Sequence, residues 1–124
     1  MPPDDTTGVI QNSIPASGSI SPVDVVSLMK DPASKDGLVV LDVRTPEEFL
    51  AGHLEGATNL DLFSPAFRSK LEALDRGKTY IVYCHSGNRG ASTLRAMAGM
   101  GFGRVYNISG GTIAWREAGL PLVK

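Results

Sequence analysis

Residues 80–94 read YIVYCHSGNRGASTL, and the order of features in this stretch decides the fold class. An apolar run ends at Cys84, which is the single cysteine of the chain. A polar loop with a glycine follows, and then an alanine-rich segment with helical spacing. The stretch therefore predicts a strand, a loop and a helix in that order, with Cys84 where the strand ends.

A cysteine in this position can act as a nucleophile. The free N–H groups at the start of a helix stabilise negative charge, and a nearby arginine helps to ionise the thiol. The simpler alternative is a buried structural cysteine, because a free cysteine packs as a small hydrophobic residue. The polar and glycine residues that directly follow Cys84 favour the nucleophile.

The loop after the cysteine contains no proline, so all of its backbone N–H groups are available. Gly87 permits the unusual backbone angles with which successive N–H groups turn inward and bind an anion. Arg89 is either a group that binds an oxyanion or a surface cation in the first turn of the helix. His85 either tunes the charge of the site by protonation or faces solvent, and Ser86 and Asn88 are expected to hydrogen-bond within the loop.

Strand and helix patterns alternate on both sides of this stretch. The run LVVL at 38–41 is apolar on both alternating faces, which is typical of a parallel strand covered on both sides. Alternating units of this kind predict an α/β fold with a mostly parallel sheet. Strands are predicted near residue 20 and at 38–41, 58–60, 79–83 and 105–106, and helices at 22–30, 46–51, 62–74, 91–98 and 111–118.

A second group of polar residues follows the strand LVVL. Because ligands bind where parallel strands end, Asp42 and Arg44 are expected on the same edge of the sheet as the cysteine. For Asp42 the structural interpretation is favoured, in which it fixes a loop or pairs with an arginine. Arg44 is either half of such a pair or a second cation at the mouth of the site. His53, in a Gly-His turn, and Trp115, on the last helix, are expected to have structural roles.

The chain has 124 residues, which suits one domain, and 42% of them are apolar, which is enough for a core. The start of the chain is rich in proline and polar residues and shows no period, so residues 1–18 are predicted to be a flexible tail before a single domain at 19–124. A net charge of −1 gives no reason to expect nucleic acid or an anionic membrane as a partner. No run approaches the ~20 apolar residues of a membrane-spanning helix.

One cysteine and two histidines form no cluster with metal-ligand spacing, so no metal is expected. A lone cysteine forms no internal disulfide, which favours a reducing compartment, and we expect a cytoplasmic protein. The alternative is an exported protein from which a signal or lipid anchor has been removed, since the first residues would also suit a linker.

Three motifs resemble signatures of the single-domain rhodanese family of sulfurtransferases. The first runs from residue 41 to residue 57 and contains Asp-x-Arg, then acidic residues, Gly-His and Gly-Ala. The second is the loop CHSGNRG at 84–90, and the third is NISGGTIAW at 107–115. Their order and spacing extend the resemblance over residues 19–122.

The resemblance implies a rhodanese-like α/β fold, with a central sheet of five strands and helices on both faces. It implies that Cys84 forms a covalent persulfide and that the loop from His85 to Arg89 cradles it with main-chain N–H groups. Neither a metal nor an organic cofactor is implied. The family's loop usually has a serine after its arginine, where this chain has Gly90, so one hydroxyl fewer and a looser start of the helix are expected.

The expected function is transfer of a sulfane sulfur from thiosulfate or a persulfide donor to cyanide or a thiol, including a thiol of a sulfur-accepting protein, by covalent catalysis in two steps. One alternative is a carrier that holds the persulfide for a partner without catalysis. Another is a thiolate phosphatase or arsenate reductase, which needs five residues between cysteine and arginine, whereas this loop has four.

Overall fold

The computed structural model describes residues 15–32 and 37–124. Within these ranges, five strands form one sheet: β1 (Gly18–Ile20), β2 (Leu38–Asp42), β3 (Thr58–Asn59), β4 (Thr79–Tyr83) and β5 (Arg104–Ile108). The order across the sheet is β1-β5-β4-β2-β3, and all neighbours are parallel. The predicted five-stranded α/β fold is confirmed, and β4 lies at the centre of the sheet.

Five helices in the same ranges connect the strands: α1 (Pro22–Lys30), α2 (Pro46–Ala51), α3 (Phe67–Glu72), α4 (Asn88–Gly99) and α5 (Gly111–Glu117). Local sequence explains where the first two begin. Ser21 accepts a hydrogen bond from Asp24 N (3.2 Å), and Pro22 follows it at the first helical position. Thr45 and Glu48 bond each other's backbone N–H groups in a capping box at the start of α2.

Side chains of β4 enter two separate cores, one on each face of the sheet. One core contains Ile81 together with Val25 of α1 and Trp115 of α5. The other contains Val82 together with Met97 of α4 and a leucine of α3. Burying an aliphatic side chain of this size contributes about 1.5–3 kcal/mol, so both layers of helices hold β4 in place. Helices on both faces were predicted, and the two cores confirm them.

The predicted helix at 62–74 is shorter in the structure, where only α3 is helical. Two turns precede it: Ser64 N donates to Asp61 O and Phe67 N donates to Ser64 O, both at 3.0 Å. Pro65 has no N–H to continue a regular ladder. Apolar spacing alone does not distinguish such turns from a helix, which explains the difference.

Helix α4 begins at Asn88, three residues before the predicted start at residue 91. The left-handed backbone of Gly87 ends the loop there, and Gly87 O accepts the hydrogen bond of Ala91 N (2.9 Å). Arg89 therefore lies in the first turn of α4, and the helix begins within the loop itself.

Most of the predicted tail, residues 1–14, lies outside the described residues. Its last residues contact β5 and the turn before it: Tyr106 Oη donates to Pro15 O (2.8 Å), and Ser17 Oγ donates to Gly103 O (3.1 Å). β1 begins at Gly18 and pairs with β5. In the part of the chain that the structure describes, no helix has the length and apolar character needed to cross a membrane.

Candidate active site

Cys84 directly follows β4, and its side chain is fully buried. Its Sγ accepts hydrogen bonds from two main-chain N–H groups, those of Gly87 (3.0 Å) and Gly90 (3.3 Å). Such donors stabilise a sulfur anion more than a neutral thiol, because the bond to the charged acceptor is stronger. The loop thus directs two N–H groups at the sulfur, as an anion on Cys84 requires.

Gly87 is the residue at which the loop turns. Its φ of +109° lies in the left-handed region, where side chains are strained. A Cβ at this position would also lie 3.1 Å from Gly110 N, which is closer than most real contacts. Glycine is therefore required here both for the turn and for the approach of the neighbouring loop.

The other predicted loop residues lie on the outside of the loop. His85, Ser86 and Asn88 are exposed, and His85 Nδ1 lies 3.2 Å from Thr112 Oγ1. Among the described residues, the side chains of Ser86 and Asn88 make no hydrogen bond, so the bonds expected from them within the loop are not seen there. The main chain, rather than these side chains, contacts the sulfur.

The start of α5 holds the backbone of the cysteine. Thr112 N donates to Cys84 O (2.9 Å), and Ile113 N donates to His85 O (3.1 Å). Gly111 lies so close that a Cβ on it would overlap both of these carbonyl groups. The Gly-Gly pair at the start of α5 therefore permits this helix to approach Cys84 closely and to bind its carbonyl group.

Arg89 forms a two-bond ion pair with Glu48 of α2, through Nη1–Oε1 (2.9 Å) and Nη2–Oε2 (3.0 Å). The hydrogen bonds from Arg89, followed by those from Thr45, hold the pKa of Glu48 at about 2, although burial opposes this. Glu48 in turn raises the pKa of Arg89. The pair joins α2 to the loop, and the expectation that Arg89 binds an oxyanion stays a prediction.

Asp42 and Arg44 lie at the same edge of the sheet as Cys84 and pair with each other. Their ion pair is buried, with Arg44 Nη2 2.6 Å from Asp42 Oδ2 and also donating to Gly52 O (2.6 Å). Tyr83 Oη donates to Asp42 Oδ2 (2.8 Å) and accepts from Leu54 N (3.0 Å). Burial, followed by the charge of Asp42, raises the pKa of Tyr83. This network fixes the turn after β2, which is the structural interpretation that the sequence favoured for Asp42.

A cavity of about 460 Å³ opens beside the loop. His85 lines it, whereas the buried Cys84 does not. Charged and apolar side chains share its wall, among them Arg44, Glu48, Ile113, Arg116 and Leu122. The cavity is of the size that proteins use to bind small organic molecules.

Asn107 of β5 hydrogen-bonds to the loop that follows Cys84. It was not predicted to belong to the site. Its Nδ2 donates to Gly87 O (3.2 Å) and to Ser19 Oγ (3.0 Å), which links the loop to β1. Its Oδ1 is buried and has no hydrogen-bond partner among the described residues. The sequence offered one signal, since a buried strand rarely carries an asparagine without a specific partner.

Glu48, Thr112 and Arg116 were also missed. An acidic residue in the first turn of a helix, such as Glu48, has a sufficient local role there. The signal that could have found it is the arginine at the start of α4, since a cation at that end of a helix needs an anionic partner. Thr112 directly follows the Gly-Gly pair, and two successive glycines indicate that the backbone there packs closely against a neighbouring segment. Arg116 looked like one more exposed cation of a terminal helix.

His53 and Trp115 have the predicted structural roles. His53 Nδ1 lies 2.8 Å from Phe49 O, and the two rings stack with centroids 3.8 Å apart. Trp115 is buried and donates from Nε1 to Pro121 O (2.9 Å). Within the described ranges, no three His, Cys, Asp or Glu side chains stand together as a metal site would require.

Known proteins are similar to this chain in sequence and in fold. The family model of the rhodanese-like domain matches residues 21–118. The chain belongs to the rhodanese family. A rhodanese-related protein from Thermoplasma volcanium has a similar structure, with a TM-score of 0.72 and 30% identity, covering 85% of this chain and 96% of that one.

Several relatives in the rhodanese family are named as sulfurtransferases. A sulfurtransferase from Allochromatium vinosum is 31% identical over 84% of this chain and 95% of its own length. The thiosulfate sulfurtransferase GlpE of Pseudomonas entomophila is 39% identical over 66% of this chain and 73% of its own length. An uncharacterised protein from Synechocystis is 38% identical over 73% of this chain, which spans about half (49%) of that relative's length.

Proposed function

We propose that this rhodanese-family protein transfers a sulfane sulfur from thiosulfate or a persulfide donor to a thiol or cyanide, with Cys84 as the carrier of the sulfur. The observation that carries the proposal is the pair of main-chain N–H groups, of Gly87 and Gly90, that bind Cys84 Sγ. Membership of the family and the name of the relative GlpE, a thiosulfate sulfurtransferase, support thiosulfate as a donor.

In the first step the thiolate of Cys84 attacks the outer sulfur of thiosulfate. A bond forms between the two sulfur atoms while the sulfur–sulfur bond of thiosulfate breaks, and sulfite leaves with the electron pair. The N–H groups of Gly87 and Gly90 lower the energy of the thiolate, and no neighbouring base is required. His85, Ser86 and Asn88 form the outer side of the loop that the donor meets.

In the second step a thiolate or cyanide attacks the outer sulfur of the persulfide. The bond within the persulfide breaks, its electron pair returns to Cys84, and the acceptor leaves with the sulfur. Because Cys84 is the single cysteine, the acceptor must come from another molecule. We assign this chemistry to a reducing compartment, the cytoplasm, where thiols are plentiful.

The supporting residues have structural tasks in this proposal. Arg89 closes the loop through Glu48, with both terminal nitrogens engaged. Asp42 and Arg44 fix the neighbouring turn. No step needs a metal or an organic cofactor, since both bond changes take place between sulfur atoms or between sulfur and carbon.

The test is intact-protein mass spectrometry after treatment with thiosulfate. We expect a mass increase of one sulfur atom, its loss on addition of cyanide, and no increase in Cys84→Ser or in protein alkylated beforehand. Turnover with a panel of acceptors then follows by steady-state kinetics. Absence of the adduct with both thiosulfate and persulfide donors would refute the proposal. An adduct that forms but loses its sulfur to no small acceptor would indicate a sulfur carrier rather than an enzyme.

A further inference from the structure

The cavity beside the loop has one positive charge that no carboxylate neutralises. Arg44 is held by Asp42, and Glu48 is held by Arg89. Arg116 is exposed, and its side chain forms no ion pair or hydrogen bond among the described residues. The uncompensated charge of the cavity is therefore the guanidinium of Arg116, and it favours an anionic ligand.

The position of Arg116 relative to Cys84 is fixed by the backbone. Thr112 and Ile113 bond to the carbonyl groups of Cys84 and His85, so the first turn of α5 is attached to the loop. Arg116 lies one turn further, about 6 Å along the helix axis from Thr112. All three α5 residues line the cavity. The cavity thus extends from Arg116 to His85, the residue that follows Cys84 in the loop.

Part of the cavity wall is apolar. Ile113 and Leu122 line the cavity, and Ile113 is 42% exposed. A second cavity of about 450 Å³ shares Arg116 and Leu122 and continues toward Lys124. The combined volume of the two cavities exceeds the volume of a small inorganic anion. A ligand with a chain of methylene groups would cover the apolar side chains of the wall.

We propose that Arg116, Ile113 and Leu122 form the subsite for the sulfur acceptor, and that the acceptor is an organic thiol with a carboxylate several bonds from its sulfur. This inference rests on the proposed sulfurtransferase function. The acceptor thiolate attacks the outer sulfur of the Cys84 persulfide, the bond within the persulfide breaks, and Cys84 regains the electron pair. The acceptor's thiol proton goes to solvent before the attack, and Arg116 binds the carboxylate with paired hydrogen bonds.

The experiment loads Cys84 with thiosulfate, removes the excess and follows discharge of the persulfide in a single turnover. Two acceptors with the same tether are compared at equal thiolate concentration, 6-mercaptohexanoate and 6-mercaptohexanol. We expect a second-order rate constant about tenfold higher for the carboxylate, which corresponds to one charge-assisted contact. Arg116→Gln is expected to abolish this preference, and Arg116→Lys to restore part of it.

Arg95→Gln is the matched control, because Arg95 is an exposed arginine of α4 that does not line the cavity. It should keep the full preference. Equal rates for the two acceptors in the unaltered protein, or an equal loss for both acceptors in Arg116→Gln, would overturn the subsite.

Binding of 6-hydroxyhexanoate, measured by calorimetry, separates the subsite from the proposed function. This compound has no thiol, so it reports on Arg116 even in protein that forms no persulfide. Binding that is lost in Arg116→Gln but kept in Arg95→Gln supports the subsite, and absence of binding to the unaltered protein contradicts it. Failure of both thiosulfate and persulfide donors to load Cys84 contradicts the proposed function alone.

Discussion

Asn107 Oδ1 occupies the space in which a side chain on Gly90 would begin. Gly90 donates its N–H to Cys84 Sγ, and Asn107 Nδ2 bonds to the carbonyl of Gly87, the other residue whose N–H contacts the sulfur. The absence of a side chain at Gly90 therefore admits Asn107. Helix α4 begins at Asn88, and the looser helix start expected of Gly90 stays a prediction.

We predict that Gly90→Ser destabilises the protein by about 1–3 kcal/mol, because the new Cβ overlaps Asn107 in a packed region. The double variant Gly90→Ser/Asn107→Ala should recover at least about 1 kcal/mol of this loss, since the two positions compete for one space. Urea unfolding of the unaltered protein, the two single variants and the double variant measures the coupling energy between the two positions. The rate of alkylation of Cys84 should fall in Gly90→Ser and recover in the double variant.

Gly99→Ala is the control for the general effect of replacing a glycine of α4 by a residue with a side chain. A Cβ on Gly99, at the end of α4, would meet nothing within 4 Å, so this variant should be as stable as the unaltered protein or more stable by up to about 1 kcal/mol. Additive effects of Gly90→Ser and Asn107→Ala would show that the two residues do not share the space.

The ion pair of Glu48 and Arg89 makes the stability of the fold depend on pH, and the direction of this dependence follows from the pKa of Glu48. The pKa of Glu48 is lowered from 4.5 to about 2 in the folded protein, chiefly by Arg89. Its contribution to stability is thus complete above about pH 4.5 and is lost as the pH falls toward about 2. We predict that Glu48→Gln destabilises the protein at pH 7 by no more than about 1 kcal/mol, because the pair is partly exposed.

Urea unfolding between pH 7 and pH 3 tests this prediction. The difference in unfolding free energy between the unaltered protein and Glu48→Gln should shrink below pH 4.5. Glu47→Gln is the control, because Glu47 is exposed and makes no ion pair among the described residues. A difference that stays constant across this pH range would mean that the charge of Glu48 does not stabilise the fold.

The hydroxyl of Tyr83 connects two buried groups, the carboxylate of Asp42 and the N–H of Leu54. Tyr83→Phe leaves both without this partner, and we predict a loss of about 1–3 kcal/mol in unfolding free energy. Tyr80→Phe is the matched control, since Tyr80 Oη makes a single bond to Asp75 O (2.7 Å), and it should lose about 0.5–1.5 kcal/mol. Equal losses in the two variants would argue against a special role of the Tyr83 network.

Local patterns in the sequence predicted the parts of the fold that depend on neighbours along the chain. The apolar run before Cys84, the glycine after it and the proline-bearing starts of α1 and α2 each identify an element by its own residues. The common edge of Asp42 and Cys84 was also predictable, because parallel strands end on the same side. These inferences identified Cys84 and its loop as the candidate site.

Contacts between distant parts of the chain were not predictable in the same way. Glu48 and Arg89 belong to separate helices, and each side chain had a sufficient local interpretation as an acidic or basic residue of a helix end. Asn107 lies in a strand where its side chain direction depends on packing against β1 and α4. The extent of α3 was overestimated because apolar spacing continues through turns that only backbone hydrogen bonds distinguish.

The attachment of α5 to the carbonyl group of Cys84 also has a consequence for the growing polypeptide. A ribosome releases the chain from its N-terminus, so Cys84 emerges before Thr112 and Ile113 exist to hold its backbone. An unfinished molecule therefore carries its thiol without the helix that fixes it. The backbone of Cys84 is fixed in this way only after the chain has been synthesised through Ile113 and α5 has docked.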